Sequence, residues 1–147
     1  MTPREKQPVS PGYTDAFGPI TRTDIVRYAG AGGDFNPMHH DEPAAQAAGY
    51  PSVFAQGLLT AGLLASAVEA WLGALALRRY SVRYVGQVWP GDVIEVEGKV
   101  VATQPDGEGQ LVTCELVVRG RGAAGDRVVL TGSAVALVGS VGEVAAQ

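Results

Sequence analysis

The pattern of hydrophobic and polar positions along the chain changes its period near residue 78. Ahead of that point apolar residues recur at helical spacing, and beyond it they alternate with polar residues as in half-buried strands. Segment 57–77 is apolar all round, which is typical of a helix buried within protein. The pattern therefore predicts a long helix that starts near Gly57, ends between Gly73 and Leu77, and is followed by a sheet.

Two short helices are predicted ahead of the long one. Thr21 and Asp24 have the spacing of a capping box, and a run of glycines at 30, 32 and 33 is expected to end the helix that they begin. Asp41 is predicted to cap a second helix, which ends at Gly49.

Four strands are predicted at 80–88, 93–103, 111–119 and 127–138, with a glycine-rich loop at 120–126 and a frayed tail from Gly139. The second strand alternates most clearly, with Ile94, Val96, Gly98 and Val100 on one face and Glu95, Glu97 and Lys99 on the other. Short turns between successive strands predict an antiparallel meander with one packed face. The long helix is the element apolar enough to cover that face.

The predicted fold class is therefore α+β, with a curved antiparallel sheet wrapped around a long central helix. We expect one domain at residues 18–147, preceded by an irregular N-terminal arm at residues 1–17. Proline and glycine are frequent at residues 1–20 and no period is visible there, with a short strand at the end of the segment as the alternative. A chain of 147 residues is long enough for one domain with a hydrophobic core.

Composition narrows the class of function. A net charge of -4 argues against a nucleic-acid partner, since such proteins usually present a basic face. Charged residues make up only 18% of the chain and hydrophobic ones 46%, which indicates apolar surface buried between subunits. Cys114 is the single cysteine, so an internal disulfide is excluded, and its strand-like surroundings predict a buried, unreactive thiol.

The long apolar segment also has the length of a membrane span. Glu69 lies inside it, and the amphipathic strands downstream need an apolar element to cover them, so burial within protein is the favoured interpretation. The N-terminus has no apolar stretch of the kind found in secretory signals. The expectation is a cytoplasmic protein without a membrane partner.

The segment Gly33-Asp34-Phe35-Asn36-Pro37-Met38-His39 is the strongest candidate for chemistry. His39 and His40 are the only histidines of the chain, and the Asn36-Pro37 turn separates His39 from Asp34 by a non-helical spacing. A carboxylate and an imidazole aimed into one pocket suit proton transfer to or from a water molecule. An Asx turn at Asp34 beside a surface histidine is an equally weighted alternative on residue types alone.

Gln56 and Gly57 stand at the start of the long helix. Backbone N–H groups there are unpaired and lie at the positive end of the helix dipole, so Gly57 is a candidate oxyanion donor. A glycine needed only for the bend into the helix is the alternative.

Two arginine clusters are candidates for binding the phosphates of a carrier such as coenzyme A or acyl carrier protein. The first comprises Arg78, Arg79 and Arg83, and the second comprises Arg119, Arg121 and Arg127. Solvated strand ends are the alternative for any one of them. No metal site is predicted, because adjacent histidines rarely bind one ion and the chain has no third.

These motifs resemble the MaoC-like dehydratases, the (R)-specific enoyl-thioester hydratases. The resemblance runs through Tyr28-Ala29-Gly30, the Gly33–His39 segment and Ala55-Gln56-Gly57-Leu58-Leu59, and continues in Arg83-Tyr84 and Val88-Trp89-Pro90-Gly91-Asp92. It covers roughly residues 18–138, and the G-D-x-N-P-x-H core is its most specific part.

The resemblance implies a hot-dog fold, usually dimeric, and the addition of water to a trans-2-enoyl thioester to give an (R)-3-hydroxyacyl thioester, or the reverse. By position, Asp34 and His39 would activate the water, Gly57 would bind the thioester oxygen, and Asn36 and Gln56 would support the site. No metal or redox cofactor is implied, because coenzyme A or the pantetheine of acyl carrier protein belongs to the substrate.

One departure from the family pattern concerns Gln56, where the family usually has histidine. An amide still donates a hydrogen bond but carries no proton as imidazole does. A non-catalytic acyl-thioester-binding subunit of a heteromeric dehydratase therefore stays open, as does a hot-dog thioesterase, which shares the fold and the substrate class. A homodimer is expected, with a heterodimer of two hot-dog subunits as the alternative.

Overall fold

The computed structural model describes residues 8–107 and 109–142. Its helices are α1 (Arg22–Gly32), α2 (Glu42–Ala47) and α3 (Gly57–Leu72), with a 3₁₀ helix at Pro37–His39. Its strands are β1 (Pro8–Val9), β2 (Gly12–Phe17), β3 (Leu77–Tyr84), β4 (Val93–Asp106), β5 (Gly109–Gly122), β6 (Gly125–Val138) and β7 (Ser140–Val141). The period change of the sequence thus coincides with the passage from α3 to β3.

Five strands form one antiparallel sheet in the order β2-β4-β5-β6-β3, and β1 and β7 form a separate parallel pair. The predicted meander is confirmed for β4, β5 and β6 only. It is wrong for β3, which pairs with β6 at the far edge of the sheet. Residues 85–92 are a crossing loop and not a hairpin turn, because the N–H groups of both Val85 and Gly86 donate to the Val129 carbonyl and end the ladder.

The predicted packing of the sheet on the long helix is confirmed. On α3, Leu64 and Val68 are fully buried together with Ile94 and Leu116 from the sheet. The Tyr80 hydroxyl donates to the Ala61 carbonyl at 2.8 Å, so β3 is also fixed to the helix, and burial raises the pKa of this phenol to about 12. The alternation predicted for residues 94–100 is present, with the charged side chains on the outer face.

Helix α3 has 16 residues and ends at Gly73, which has a φ of 98° that favours glycine. Among the residues that the structure describes, no helix combines the length and apolar character needed to cross a bilayer.

The N-terminal arm departs from the prediction of an irregular segment. Residues 12–17 form β2, an edge strand paired with β4, so the alternative of a strand at the end of the arm is confirmed and the irregular assignment is wrong for them. Residues 1–7 lie outside the described part of the chain. Tyr13 stacks on the Trp71 ring with centroids 5.8 Å apart, and the Trp71 indole N–H donates to the Ser10 carbonyl at 3.0 Å. Long-range contacts with α3 thus order a segment whose own sequence has no clear strand period.

Two further expectations at the C-terminal end are corrected. The glycine-rich loop predicted at 120–126 is a tight hairpin turn at residues 123–124, because β5 and β6 extend through the glycines. The predicted frayed tail begins instead with β7, which pairs with β1, while residues 143–147 lie outside the described residues. Cys114 is fully buried, as predicted, and burial raises the pKa of its thiol to about 11.

Candidate active site

Helix α1 positions the candidate acid, Asp34. Its predicted capping box is present, with the Thr21 hydroxyl accepting from the Asp24 N–H at 3.1 Å and the Asp24 carboxylate accepting from the Thr21 N–H at 2.9 Å. The helix ends at Gly33, whose φ of 68° turns the chain. Asp34 follows at once, and its N–H donates back to the Ala29 carbonyl at 3.1 Å.

The loop after α1 brings the predicted acid and imidazole together. The Asn36 N–H donates to Asp34 Oδ1 at 3.3 Å, and Asn36 Oδ1 accepts from the Met38 N–H at 3.2 Å, which caps the 3₁₀ helix. His39 is the last residue of that helix, and its Nε2 lies 3.7 Å from Asp34 Oδ2. Asn36 thus fixes both ends of the loop, although its own side chain does not bond to either candidate.

His39 is held in one orientation. Its ring is only 8% exposed, and Nδ1 lies 2.7 Å from the Phe54 carbonyl oxygen. Since a carbonyl only accepts, Nδ1 carries the hydrogen, and in the neutral ring the Nε2 lone pair faces Asp34. The 3.7 Å separation exceeds direct hydrogen-bond distance, so a water beside both atoms would contact the carboxylate and the imidazole at once.

His40 has a different environment. Its ring is exposed and its Nε2 lies 3.2 Å from the Phe35 carbonyl oxygen. Within the described residues, no group of three His, Cys, Asp or Glu side chains is placed to hold a metal ion.

Phe54 supports His39 through its ring as well as its carbonyl. The two rings meet edge to face with centroids 5.3 Å apart, and Phe54 also contacts the rings of Tyr50 at 4.7 Å and Trp89 at 5.8 Å. The Ala55 N–H donates to the Val88 carbonyl at 2.8 Å, so the backbone beside Phe54 is tied to the 85–92 loop.

Gln56 and Gly57 form the start of α3, as the sequence predicts. Gln56 is the N-cap but makes no capping bond with its side chain, which is buried and donates from Nε2 to the Ile25 carbonyl at 3.2 Å. Its Oε1 is buried without a hydrogen-bond partner among the described residues. The amide therefore joins α1 to the N-terminus of α3, where the first backbone N–H groups have no partner within the helix.

An open pocket of about 420 Å³ lies beside Gly57. It is lined by Phe54, Ala55, Gly57, Leu58, Tyr84, Gly86 and Gln87. A Cβ at position 57 would stand 2.9 Å from Cε1 of the Tyr84 ring, so only glycine allows this approach. The arrangement leaves the N-terminus of α3 open to a ligand while an aromatic ring covers one side of it.

The structure does not bring the first arginine cluster to this site. Arg78 and Arg79 are exposed at the start of β3, five or six residues from Tyr84, which corresponds to about 16–20 Å along a strand. Arg83 is exposed next to Tyr84, and alternation places it on the other face of the strand, away from α3.

The arginines of the second cluster form ion pairs with carboxylates of the same chain. Arg121 NH1 lies 2.9 Å from Glu95 Oε1, and Arg119 NH1 lies 3.7 Å from Asp126 Oδ1. Arg127 pairs with the buried carboxylate of Asp92. These pairs show that the second cluster serves the β5–β6 hairpin and its neighbours in the sheet.

A family model described as MaoC like domain matches residues 5–119, which include the Asp34–His39 loop, α3 and most of the sheet. The chain belongs to the MaoC-like domain family. The predictions of the family and of the hot-dog fold are thereby confirmed.

Two curated relatives of this MaoC-like chain are enzymes. It is 40% identical over 86 residues to a 3-hydroxyacyl-thioester dehydratase X of Mycobacterium tuberculosis, a match that covers 58% of this chain and 30% of that protein. It is 31% identical over 122 residues to a 3-hydroxybutyryl-CoA dehydratase of Methylorubrum extorquens, which covers 81% of this chain and 73% of that protein. The chain thus spans less than a third of the first relative and about three quarters of the second.

Solved structures share the fold. A chain of the ChsH1-ChsH2 complex from Mycobacterium tuberculosis superposes with a TM-score of 0.69 at 26% identity, covering 92% of this chain and 98% of that one. An (R)-hydratase from A. caviae involved in PHA biosynthesis superposes with a TM-score of 0.70 at 23% identity, covering 88% and 95%. At 23% identity, the similarity to this (R)-hydratase is evidence for the fold alone.

Sequence reasoning missed several residues that shape the site of this MaoC-like domain. The Phe54 carbonyl that binds His39 and the Tyr84 ring that covers Gly57 are contacts between distant parts of the chain, and no local pattern encodes them. Trp89 and Asp92 stand in the V-W-P-G-D run, for which the family resemblance implies no role. A proline-glycine turn that ends in a carboxylate ahead of an alternating strand was the available signal.

Proposed function

We propose that this MaoC-like domain adds water to trans-2-enoyl thioesters to give (R)-3-hydroxyacyl thioesters, and catalyses the reverse elimination. The observation that carries the proposal is the 3.7 Å distance between Asp34 Oδ2 and His39 Nε2. His39 is bonded to the carbonyl of Phe54, and Phe54 also lines the pocket at Gly57. The two dehydratases among the relatives support the same reaction class.

The dyad would act on one water molecule. His39 Nε2 is unprotonated in the tautomer fixed by Phe54, so it takes a proton from the water while Asp34 holds the water by a hydrogen bond. The water oxygen bonds to C3 of the enoyl group, and the electron pair of the C2–C3 double bond moves towards the thioester oxygen. The proton on His39 then passes to C2, the double bond is consumed, and both side chains return to their starting state.

Gly57 would stabilise the intermediate charge. Enolate character places negative charge on the thioester oxygen, and the Gly57 N–H at the N-terminus of α3 meets it with an unpaired donor and the positive end of the helix dipole. The reaction as written needs no metal or redox group, since coenzyme A or a pantetheine arm enters as part of the substrate.

We also propose that the chain works as a dimer, with a second copy as the first choice and a different hot-dog subunit as the alternative. Large apolar side chains close to the site are exposed in the single chain: Phe35, Leu58, Tyr84 and Val85. The similar chain of the ChsH1-ChsH2 complex supports a paired arrangement.

The first test follows the ultraviolet absorbance of the enoyl thioester with crotonyl-CoA and with a longer trans-2-enoyl-CoA. We expect Asp34→Asn and His39→Ala to lower kcat by about 10²–10⁴-fold, because each removes one partner of the water. His40→Ala is the matched control, since this neighbouring ring is exposed and does not face Asp34, and it should retain the wild-type rate.

The same assay separates the other candidates. Wild-type rates in both Asp34→Asn and His39→Ala would refute the proposal. Hydrolysis of the thioester also removes the enoyl-thioester band, so release of free thiol in step with the loss of absorbance would identify a thioesterase, whereas hydration releases no thiol. A non-catalytic acyl-binding domain would bind the substrate without turnover. It would do so with thioesters of coenzyme A and of acyl carrier protein, and addition of a partner subunit would not raise its rate. Chiral analysis of the 3-hydroxyacyl product tests the (R) configuration separately.

A further inference from the structure

We propose that the buried ion pair between Arg127 and Asp92 is a positioning device for His39 and acts on it through Trp89 and Phe54. The inference rests on the proposed function only in the role given to the His39 ring. Its physical content, that the pair fixes the orientation of that ring, is tested independently of turnover.

The ion pair occupies a closed position behind the 85–92 loop. Asp92 is 1% exposed, and its Oδ2 accepts from Arg127 NH2 and, at 2.7 Å, from the Trp89 N–H. Arg127 NH1 reaches the carbonyl oxygens of Gly125 at 3.1 Å and Gly120 at 3.4 Å. A charge removed from water in this way is tolerable only because so many of its hydrogen bonds are made.

Glycines on β5 make room for this carboxylate. A Cβ at Gly122 would overlap Asp92 Oδ1, and a Cβ at Gly120 would stand 3.4 Å from both Asp92 Oδ2 and Arg127 NH2. The hairpin is therefore shaped around the ion pair, which fixes where Asp92 can lie.

The pair holds the 85–92 loop at two points. Arg127 NH2 donates to the Gln87 carbonyl at 3.0 Å, and Asp92 accepts from Trp89. Between these points lie Val88, whose carbonyl accepts from Ala55, and the Trp89 ring. The loop is bonded to β6 at its start, where Val85 and Gly86 donate to the Val129 carbonyl, and to Ile20 at its end, where Gly91 donates and Asp92 accepts. The bonds of the ion pair hold the part of the loop between these two ends.

The held loop in turn positions Phe54. The Trp89 and Phe54 rings meet edge to face at 78° with centroids 5.8 Å apart, and the Val88–Ala55 hydrogen bond fixes the next residue of the chain. Phe54 then fixes the orientation of the His39 ring by two contacts. One is the 2.7 Å bond from Nδ1 to the Phe54 carbonyl, and the other is the ring contact with centroids 5.3 Å apart. Direct contacts therefore connect Arg127 to the His39 imidazole, through Asp92, Trp89 and Phe54 in turn.

The guanidinium suits this role better than an ammonium would. Its planar fork binds the Gly120, Gly125 and Gln87 carbonyls and the Asp92 carboxylate at the same time, and only its Nε–H is buried without a partner among the described residues. A lysine at this position would keep the charge but lose the fixed directions of the donors. We therefore expect the effect of Arg127→Lys on the orientation of the His39 ring to be smaller than that of Arg127→Met.

The direct test observes the His39 ring by nitrogen NMR of protein labelled at its histidines. The chain has only two histidines, and His40→Gln assigns the spectrum. In the wild type, the Nδ1 and Nε2 shifts of His39 should stay far apart at a pH where the ring is neutral, because one tautomer is locked. In Arg127→Met they should move towards each other as the Phe54 carbonyl loses its fixed position and the tautomers exchange.

A stability-matched control separates positioning from general loosening. Trp71→Phe removes the indole bond to Ser10 and lies 14 residues along α3 from Gly57, which is about 21 Å. It should lower the melting temperature and leave the His39 shifts in place. If both variants move the shifts alike, or if Arg127→Met leaves them unchanged, the positioning role is refuted.

A second variant keeps the test valid if Arg127→Met does not fold. Trp89→Leu leaves the ion pair intact and removes only the ring contact to Phe54, and it should also move the His39 shifts. In the enoyl hydration assay we expect both variants to lower kcat by about 10–100-fold with KM within about twofold, since a misplaced base costs rate more than binding. Altered NMR shifts with no hydration in the wild type would overturn the proposed function and leave the positioning intact.

Discussion

At the scale of single residues, the site depends on how closely Gly57 and Tyr84 approach each other. The missing side chain at position 57 leaves room for the Tyr84 ring against the first turn of α3 and for an oxygen atom at the unpaired N–H. The ring covers one side of the helix N-terminus, and hydrogen bonds there are stronger where water is excluded. The glycine thus serves packing and chemistry at once.

Gly57→Ala tests this contact. The added methyl would stand 2.9 Å from the Tyr84 ring, so either the ring or the first turn of α3 must shift, and we expect kcat/KM for enoyl hydration to fall about 100-fold. Gly62→Ala is the matched control on the same helix, because nothing lies within 4 Å of its Cβ position. It should keep the wild-type rate and raise the free energy of unfolding by about 0.5–1 kcal/mol.

Tyr84→Ala in the Gly57→Ala background removes the opposing ring and should recover part of the lost rate. No recovery would mean that the methyl acts on the backbone donor alone, and an unimpaired Gly57→Ala would remove Gly57 from the mechanism.

The sequence predicts some contacts of the candidate site and not others. Asp34, Asn36 and His39 lie within six positions, so the turn between them predicts that they meet. The partner that fixes the tautomer, the Phe54 carbonyl, lies 15 residues further on and is a backbone atom that any residue could supply. Such a contact follows from the fold and leaves no trace in residue type.

At the scale of elements, α1 shows how local capping reaches the site. The helix begins in the Thr21–Asp24 capping box and ends at Gly33, one residue before Asp34. Hydrogen bonds from the Thr21 side chain and backbone hold the pKa of the Asp24 carboxyl below its ordinary value near 3.8. A carboxyl whose folded pKa is depressed stabilises the fold above its unfolded pKa, and this contribution is lost as the pH falls through the folded value.

The capping box therefore predicts a loss of stability in two variants, of which that of Asp24→Ala depends on pH. Asp24→Ala should be less stable than the wild type at pH 7, and the difference should disappear as the pH falls below about 4. Thr21→Ala should cost about 1 kcal/mol at neutral pH, because the N-cap acceptor of the Asp24 N–H is removed. Urea unfolding between pH 2 and 7 measures both, and an Asp24→Ala difference that is constant with pH would contradict this account.

Element types were more predictable than their partners. The 93–100 alternation and the caps at Thr21 and Asp41 are local, and the structure confirms them. The pairing of β3 with β6 depends on the 85–92 loop, which crosses the end of the sheet and is held there by Arg127 and Asp92. The order of β2 and β3 at the two edges is therefore decided by contacts between distant segments, beyond the reach of periodicity.

At the scale of the whole molecule, the distribution of exposed apolar residues is uneven. Leu58 and Tyr84 line the pocket at Gly57, Phe35 lies in the loop between Asp34 and His39, and Val85 follows the edge strand β3, and each of these four side chains is about half exposed or more. Exposed apolar side chains that gather beside a functional site are typical of an interface. A second subunit against this side would shield the open pocket from water.

Dimer formation is the prediction that belongs to this scale. Sedimentation equilibrium should give the mass of two chains for the wild type. Val85→Glu should raise the dimer dissociation constant by at least about 100-fold, because each interface would then desolvate two unpaired carboxylates. Val101→Glu is the matched control, since Val101 is also exposed but lies on β4, which β5 and β6 separate from the edge strand β3. A wild type that sediments as one chain while it hydrates enoyl thioesters at full rate would refute the dimer. A silent single chain that gains activity with a different hot-dog subunit would establish the heteromeric alternative.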